Sequence, residues 1–180
     1  MLESMENVII ALVVVFAVGG FAAVVGWIGR EKSEEKILKL NQELQNRIFS
    51  GEFISYEEFE QNWISIRQGN RGVAGYKYFE SPGCYVIMMY SYPVQNGNYT
   101  NYENIYIGQS TNVCQRVHNH FHGKGNGDVY ADIRYGKYAY VQILPCRAEE
   151  MNALEIQLIQ AFDATKSYNK TKGGGTHRGM

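Results

Sequence analysis

Hydrophobic and polar positions follow three different rhythms along this chain. From Asn7 to Gly29 nothing is charged, and VIIALVVVFAVGGFAAVVGWIG is apolar all round rather than on one face. As a helix rising 1.5 Å per residue the run would reach about 34 Å, enough for a hydrocarbon core of about 30 Å. A transmembrane helix over 7–29 is expected, with 1–6 as a short extracytoplasmic N-terminus. A cleaved leader fits less well, because MLESMEN carries two glutamates and no basic residue ahead of the run. Arg30, Lys32, Lys36 and Lys39 follow it, and Trp27 is an interfacial residue type. By the positive-inside rule the remainder then lies in the cytoplasm, which makes the protein a single-pass resident of the inner membrane.

The second rhythm is helical and covers the expected connector, 30–75. In EKSEEKILKLNQELQNRIF, the residues Ile37, Leu40, Leu44 and Ile48 share a face. That face suits either a homo-oligomeric coiled coil or packing on the domain or membrane surface. The small number of heptads favours packing. Ser55 with Glu58 has capping-box spacing, and Tyr56, Phe59, Trp63 and Ile66 form the apolar side of a second short helix. QGNRG at 68–72 reads as a loop.

The third rhythm is that of strands and short helices, over 76–175. CYVIMMYSY (84–92) and ENIYIGQS (103–110) are strand-like, with Asn96-Gly97 as a hairpin turn between them. NVCQRVHNHF (112–121) is a helix that ends in GKGNG, KYAYVQIL (137–144) a strand, and AEEMNALEIQLIQAF (148–162) a second helix. The expected fold class is α+β: hairpin, helix, strand, helix, with a three-stranded antiparallel sheet flanked by helices. Residues 176–180 are expected to be a flexible tail.

Composition changes this picture mainly by partition. The net charge of the whole chain is −1, but the part from residue 76 onward is basic by two charges, so the preceding parts hold the acidic excess. These values exclude a disordered chain and a polybasic nucleic-acid arm. Three cysteines, Cys84, Cys114 and Cys146, without a C-x-x-C spacing, exclude a disulfide scaffold and a cysteine-based structural zinc site. They also agree with a reducing compartment.

Chemistry concentrates in the two domain helices. Val113, Val117 and Phe121 should face the core, while Arg116 and His120, four apart, project together from the neighbouring face. Glu155 falls on the apolar stripe of Met151, Leu154, Leu158 and Phe162. A carboxylate there needs a metal, a cation or a raised pKa, or else lies at the stripe's edge and reaches water. His118, His120 and His122 alternate, a spacing that splays neighbours by about 200° on a helix and does not serve one zinc ion. GKGNG lacks the spacing of a phosphate loop, and Lys124 within it is a candidate DNA contact.

The order Gly83-Cys84-Tyr85, Tyr106-Ile107-Gly108, Arg116, Glu155 and Tyr168-Asn169 resembles the GIY-YIG nuclease family over about 82–175. The first element reads GCY, and the spacing between the two tyrosines is long, with the excess in the polar turn. The resemblance implies an endonuclease that hydrolyses DNA with one divalent cation, Mg2+ or Mn2+. It implies Glu155 as the metal ligand and Arg116 as the cation on the scissile phosphate. Tyr85 and Tyr106 then line the site, and one of Tyr85, Tyr106 and His120 helps deprotonate the attacking water. Asn169 hydrogen-bonds within the site, and Gly108 lies against the nucleic acid. Combined with the apolar run, this describes a membrane-anchored, cytoplasm-facing nuclease acting on DNA that enters the cell. Two competing readings are a catalytically silent, tethered nucleic-acid-binding module and a secreted nuclease with a cleaved leader. The silent module would normally have lost the arginine or the glutamate, and both are present.

Overall fold

A computed structural model describes residues 33–73, 76 and 79–173. The chain divides into a unit ending at Leu40 and a second unit from Asn41. In the first unit the described residues, 33–40, are helical. Among the described residues no helix is long and apolar enough to cross a membrane. The segment 7–29, on which the transmembrane expectation rests, lies outside the described residues, as does the expected tail at 176–180.

The second unit opens with α1, helical over 41–49, followed by β1 (Ile54–Ser55) and α2 (Tyr56–Arg67). Next come β2 (Gly83–Tyr90), β3 (Asn104–Ser110), α3 (Val113–Phe121) and α4 (Gly127–Arg134). The unit closes with β4 (Tyr138–Pro145), α5 (Met151–Ala161) and a 3-10 turn at Ala164–Lys166. The sheet has the order β1-β4-β2-β3, and its three strand pairings are all antiparallel. β2 is the central strand and every residue in it is buried, which is why GCYVIMMY is apolar on both of its faces.

Period-2 alternation divides β2 between two cores. Cys84, Val86 and Met88 face α5 and α1, together with Ile105, Ile107, Leu158 and Ile48. Tyr85, Ile87 and Met89 face α3 and α2, with Val113, Val117, Phe121 and Phe59. The expected inward face of α3 is therefore the observed one. β3 is an edge strand, and a later segment covers its free side. The Ser167 hydroxyl accepts from Ile105 N, Tyr168 N donates to Ile105 O, and the Asn169 amide bonds both N and O of Ile107. An edge satisfied in this way cannot recruit a foreign strand.

Three expectations change. The sheet has four strands, because Ile54–Ser55 pairs with Val141 and Tyr140. Gly127–Arg134 is a helix that GKGNG had hidden; Asn126 caps it, its side-chain oxygen accepting from Asp128 N and Val129 N. The stretch expected to be a connector is built into the domain from Asn41 onward. Ile48 is 2 % exposed within the core, with Leu44 packed beside it, so these two residues are not available to a coiled-coil seam. Ser55 caps α2 as expected, accepting from Glu58 N at 3.1 Å, and Tyr56 and Phe59 set their rings edge-on to Phe121.

Ile48→Ala should cost about 2–5 kcal/mol in urea unfolding, the usual range for truncating a buried aliphatic. A fragment that starts at residue 72 lacks Ile48, Phe53, Phe59 and one sheet edge. It should show no cooperative transition, whereas a fragment from residue 41 should.

Candidate active site

The site sits where the two faces of the sheet meet around the end of edge strand β3. Tyr85 on β2 lies opposite Gly108 on β3. A Cβ at Gly108 would stand 2.3 Å from the Tyr85 hydroxyl oxygen and 2.6 Å from its ring carbon Cζ. Only a residue without a side chain lets the Tyr85 ring cross the strand there. The missing side chain also leaves a passage beside the strand. Arg116 reaches it from α3 and Glu155 from α5, and together with Tyr85, Tyr106, Gly108 and Gln109 they line a cavity of about 170 Å³. Thr171 and Gly173 complete the lining.

His120 is fully buried, and its bonds fix its tautomer. Its Nδ1 accepts from Asn126 N at 2.6 Å, a backbone donor that leaves no room for a proton on that nitrogen. In the neutral ring Nε2 must then carry the proton, and it donates to the Tyr85 oxygen at 2.7 Å. Burial first, and the neighbouring Arg116 charge second, push the His120 pKa down to about 3, so the ring is neutral. The loop approaches closely enough that a Cβ at Gly125 would stand 2.3 Å from His120 Nδ1. The tautomer is therefore imposed by loop packing.

The Tyr85 and Tyr106 rings lie with centroids 6.2 Å apart. Burial is the largest influence on both phenols and raises both; Arg116 opposes it at each through its charge and a hydrogen bond. Glu155 also raises Tyr106. The order of donation is thus Asn126 N to His120 and His120 to Tyr85.

On the other face, Gln109 Nε2 donates to Glu155 Oε2 at 2.9 Å and to Asn152 Oδ1 at 2.6 Å. Two acceptors on one nitrogen fix the orientation of the amide. Gln109 Oε1 is then buried with no hydrogen-bond partner among the described residues. An unpartnered oxygen next to a carboxylate is a donor set of the kind a hard divalent cation takes, so the lining residues fit such an ion.

Of the expected site residues, Tyr85, Tyr106, Gly108, Arg116 and Glu155 line one cavity. His120 stands behind Tyr85. Asn169 is buried against the backbone of Ile107, between Tyr106 and Gly108, and holds the strand. Lys124 is exposed and is not among the lining residues. Asn126 and Gln109 were not anticipated. A buried amide inside an otherwise apolar strand was the available signal for Gln109; nothing local marked Asn126, whose partners lie on α3, α4 and at Tyr168.

Residues 81–169 match the family model described as the GIY-YIG catalytic domain. This part of the chain accordingly carries a GIY-YIG catalytic domain, and the match spans every residue named for the resemblance. No curated protein and no solved structure matches the chain significantly.

A His that is buried neutral costs stability once the unfolded chain can take up a proton. Between pH 6.5 and about pH 3 the unfolded state binds the extra proton, so His120 should lower stability as pH falls, by at most about 1.4 kcal/mol per pH unit. Urea midpoints measured across that window should fall more steeply in the parent than in His120→Gln; equal slopes would contradict the assignment. Gly108→Ala should lower the unfolding free energy by about 1–3 kcal/mol through overpacking against Tyr85.

Proposed function

We propose that the protein is an endonuclease that hydrolyses DNA phosphodiester bonds with one divalent cation, and that the cavity beside Gly108 is its active site. The supporting observation is convergence: a carboxylate from α5, a guanidinium from α3 and two phenols from the hairpin face one space of about 170 Å³. Phosphodiester hydrolysis needs charge neutralised on the phosphate and a proton removed from the attacking water. Glu155 would hold Mg2+ or Mn2+, helped by Gln109, and the ion would supply Lewis-acid polarisation of the phosphate. Arg116 presents a planar, permanently charged fork to the same phosphate.

Among the three candidate bases, Tyr106 fits the task. The lone pair of His120 Nδ1 is occupied by Asn126 N, and its Nε2 already carries a proton. Tyr85 is buried and accepts from that proton. Tyr106 is only partly buried, and although burial raises its pKa, Arg116 opposes that rise through its charge and a hydrogen bond. The Glu155 charge holds its pKa up, and neutralising that charge with a cation favours the phenolate. Gly108 leaves space for a backbone phosphate, and exposed Lys124 is a peripheral DNA contact.

The apolar run 7–29 supports a membrane-tethered form facing the cytoplasm, which restricts cleavage to DNA near the membrane, such as DNA entering the cell.

Purified protein should nick plasmid DNA with Mg2+ and lose that activity on chelation. Glu155→Ala and Arg116→Ala should each reduce cleavage about 10²-fold or more, and Tyr106→Phe should do so more than His120→Gln. Full cleavage by both Glu155→Ala and Arg116→Ala would sink this reading and favour a silent binding module. For the tether, the protein should sediment with membranes and retain its N-terminal residues by mass spectrometry; loss of the first 25 or so would indicate a leader.

A further inference from the structure

α3 turns a second set of ligands away from the cavity. His118 and His122 are four apart, so they share one face of the helix, and Glu60 on α2 meets them there. One ligand atom from each of the three residues lies within 4.8 Å of the others. Alternate helical positions splay too far apart for the three histidines to share one zinc ion, and His120 is buried in the core. The remaining pair converges, and its third partner is far away in sequence.

Two features show that the cluster is held in a ligating arrangement. His122 Nδ1 lies 3.0 Å from the carbonyl oxygen of His118, which can only accept. That nitrogen carries the proton, so in the neutral ring Nε2 presents a lone pair. It faces Glu60 Oε2 at 3.7 Å, an arrangement that takes a positive charge between the two atoms, either a proton or a metal ion. A ring N–H on a backbone carbonyl is also the support that orients metal-bound histidines. The His118 ring is clamped flat on Trp63, with centroids 4.4 Å apart, and its Nδ1 lies 3.1 Å from Glu60 Oε1.

We propose that Glu60, His118 and His122 bind one late first-row divalent cation, Zn2+ best among them, and that the ion ties α2 to α3. Two imidazoles and one carboxylate are a donor set zinc takes, whereas Mg2+ prefers oxygen alone. His118 offers Nδ1 by moving its proton to Nε2, so no net charge changes in that ring. Ligand atoms on a tetrahedral ion at about 2.0 Å lie about 3.3 Å apart; rotation of the His122 side chain, 43 % exposed, closes the difference. The fourth position opens to water on that exposed side. Because Arg116 and His120 lie on other faces of α3, the ion would brace the helix that carries them without taking part in hydrolysis. The inference stands apart from the nuclease reading.

Metal-free full-length protein in detergent should be titrated with Zn2+ alone by calorimetry, with a parallel melting curve. One ion per chain is expected, together with a higher Tm in zinc. His122→Ala should weaken binding about tenfold or more and abolish the Tm shift; since His122 is half exposed, this variant should fold. Glu60→Gln should behave likewise, and Glu155→Ala, at the separate cavity, should bind zinc as the parent does. No zinc binding by the parent, or undiminished binding by both His122→Ala and Glu60→Gln, would overturn the proposal. Binding lost only in Glu155→Ala would also overturn it, by placing the ion in the catalytic cavity.

Discussion

The site depends on one close approach: the Tyr85 ring lies across the backbone of Gly108, in the space a side chain would fill. A β-sheet normally separates the groups on its two faces by its own thickness. At the end of an edge strand, where one residue lacks a Cβ, that separation fails. Glu155 comes from the helix on one face and Arg116 from the helix on the other, yet they line the same cavity. The gap beside Gly108 thus lets a carboxylate and a guanidinium from opposite faces of the sheet open onto one space. The covering of β3 by residues 167–169 serves the same end, because Asn169 fixes the backbone of Ile107 directly beside that glycine.

Polarity within the site is set from outside it. The backbone of Asn126, in the loop before α4, decides which nitrogen of His120 bears the proton. His120 in turn decides which way the Tyr85 hydroxyl points. A backbone N–H cannot change protonation state, so the chain of donors has one direction. The same asparagine caps α4 with its side-chain oxygen and bonds Tyr168 O with its amide. Loop, helix start and C-terminal segment therefore hold this part of the site together, and His120 donates to Tyr85 rather than accepting from it.

The region from α1 to α2 illustrates how far periodicity carries. Helical spacing identified the face of Leu44 and Ile48 and the apolar side of α2, and these faces are the buried ones. Spacing alone left open whether that face met a second chain, a membrane or the domain itself. The two-residue strand Ile54–Ser55 had no signal of its own, since a pair of residues has no period; it exists because β4 offered an unpaired edge. Similarly, the glycines of GKGNG obscured α4, whose start depends on a cap rather than on composition.

By itself, the sequence determined the alternation of strands and helices, the inward faces of α3 and α5, and the order of residues that carry the chemistry. Those are local properties, set by side-chain periodicity and by residue type at fixed spacing. The tautomer of His120, that Gln109 steadies Glu155, and that Glu60 meets His118 and His122 were decided only by tertiary structure. Each of these depends on atoms brought together from distant parts of the chain, and hydrogen-bond direction or ligand convergence between such atoms leaves no trace in spacing.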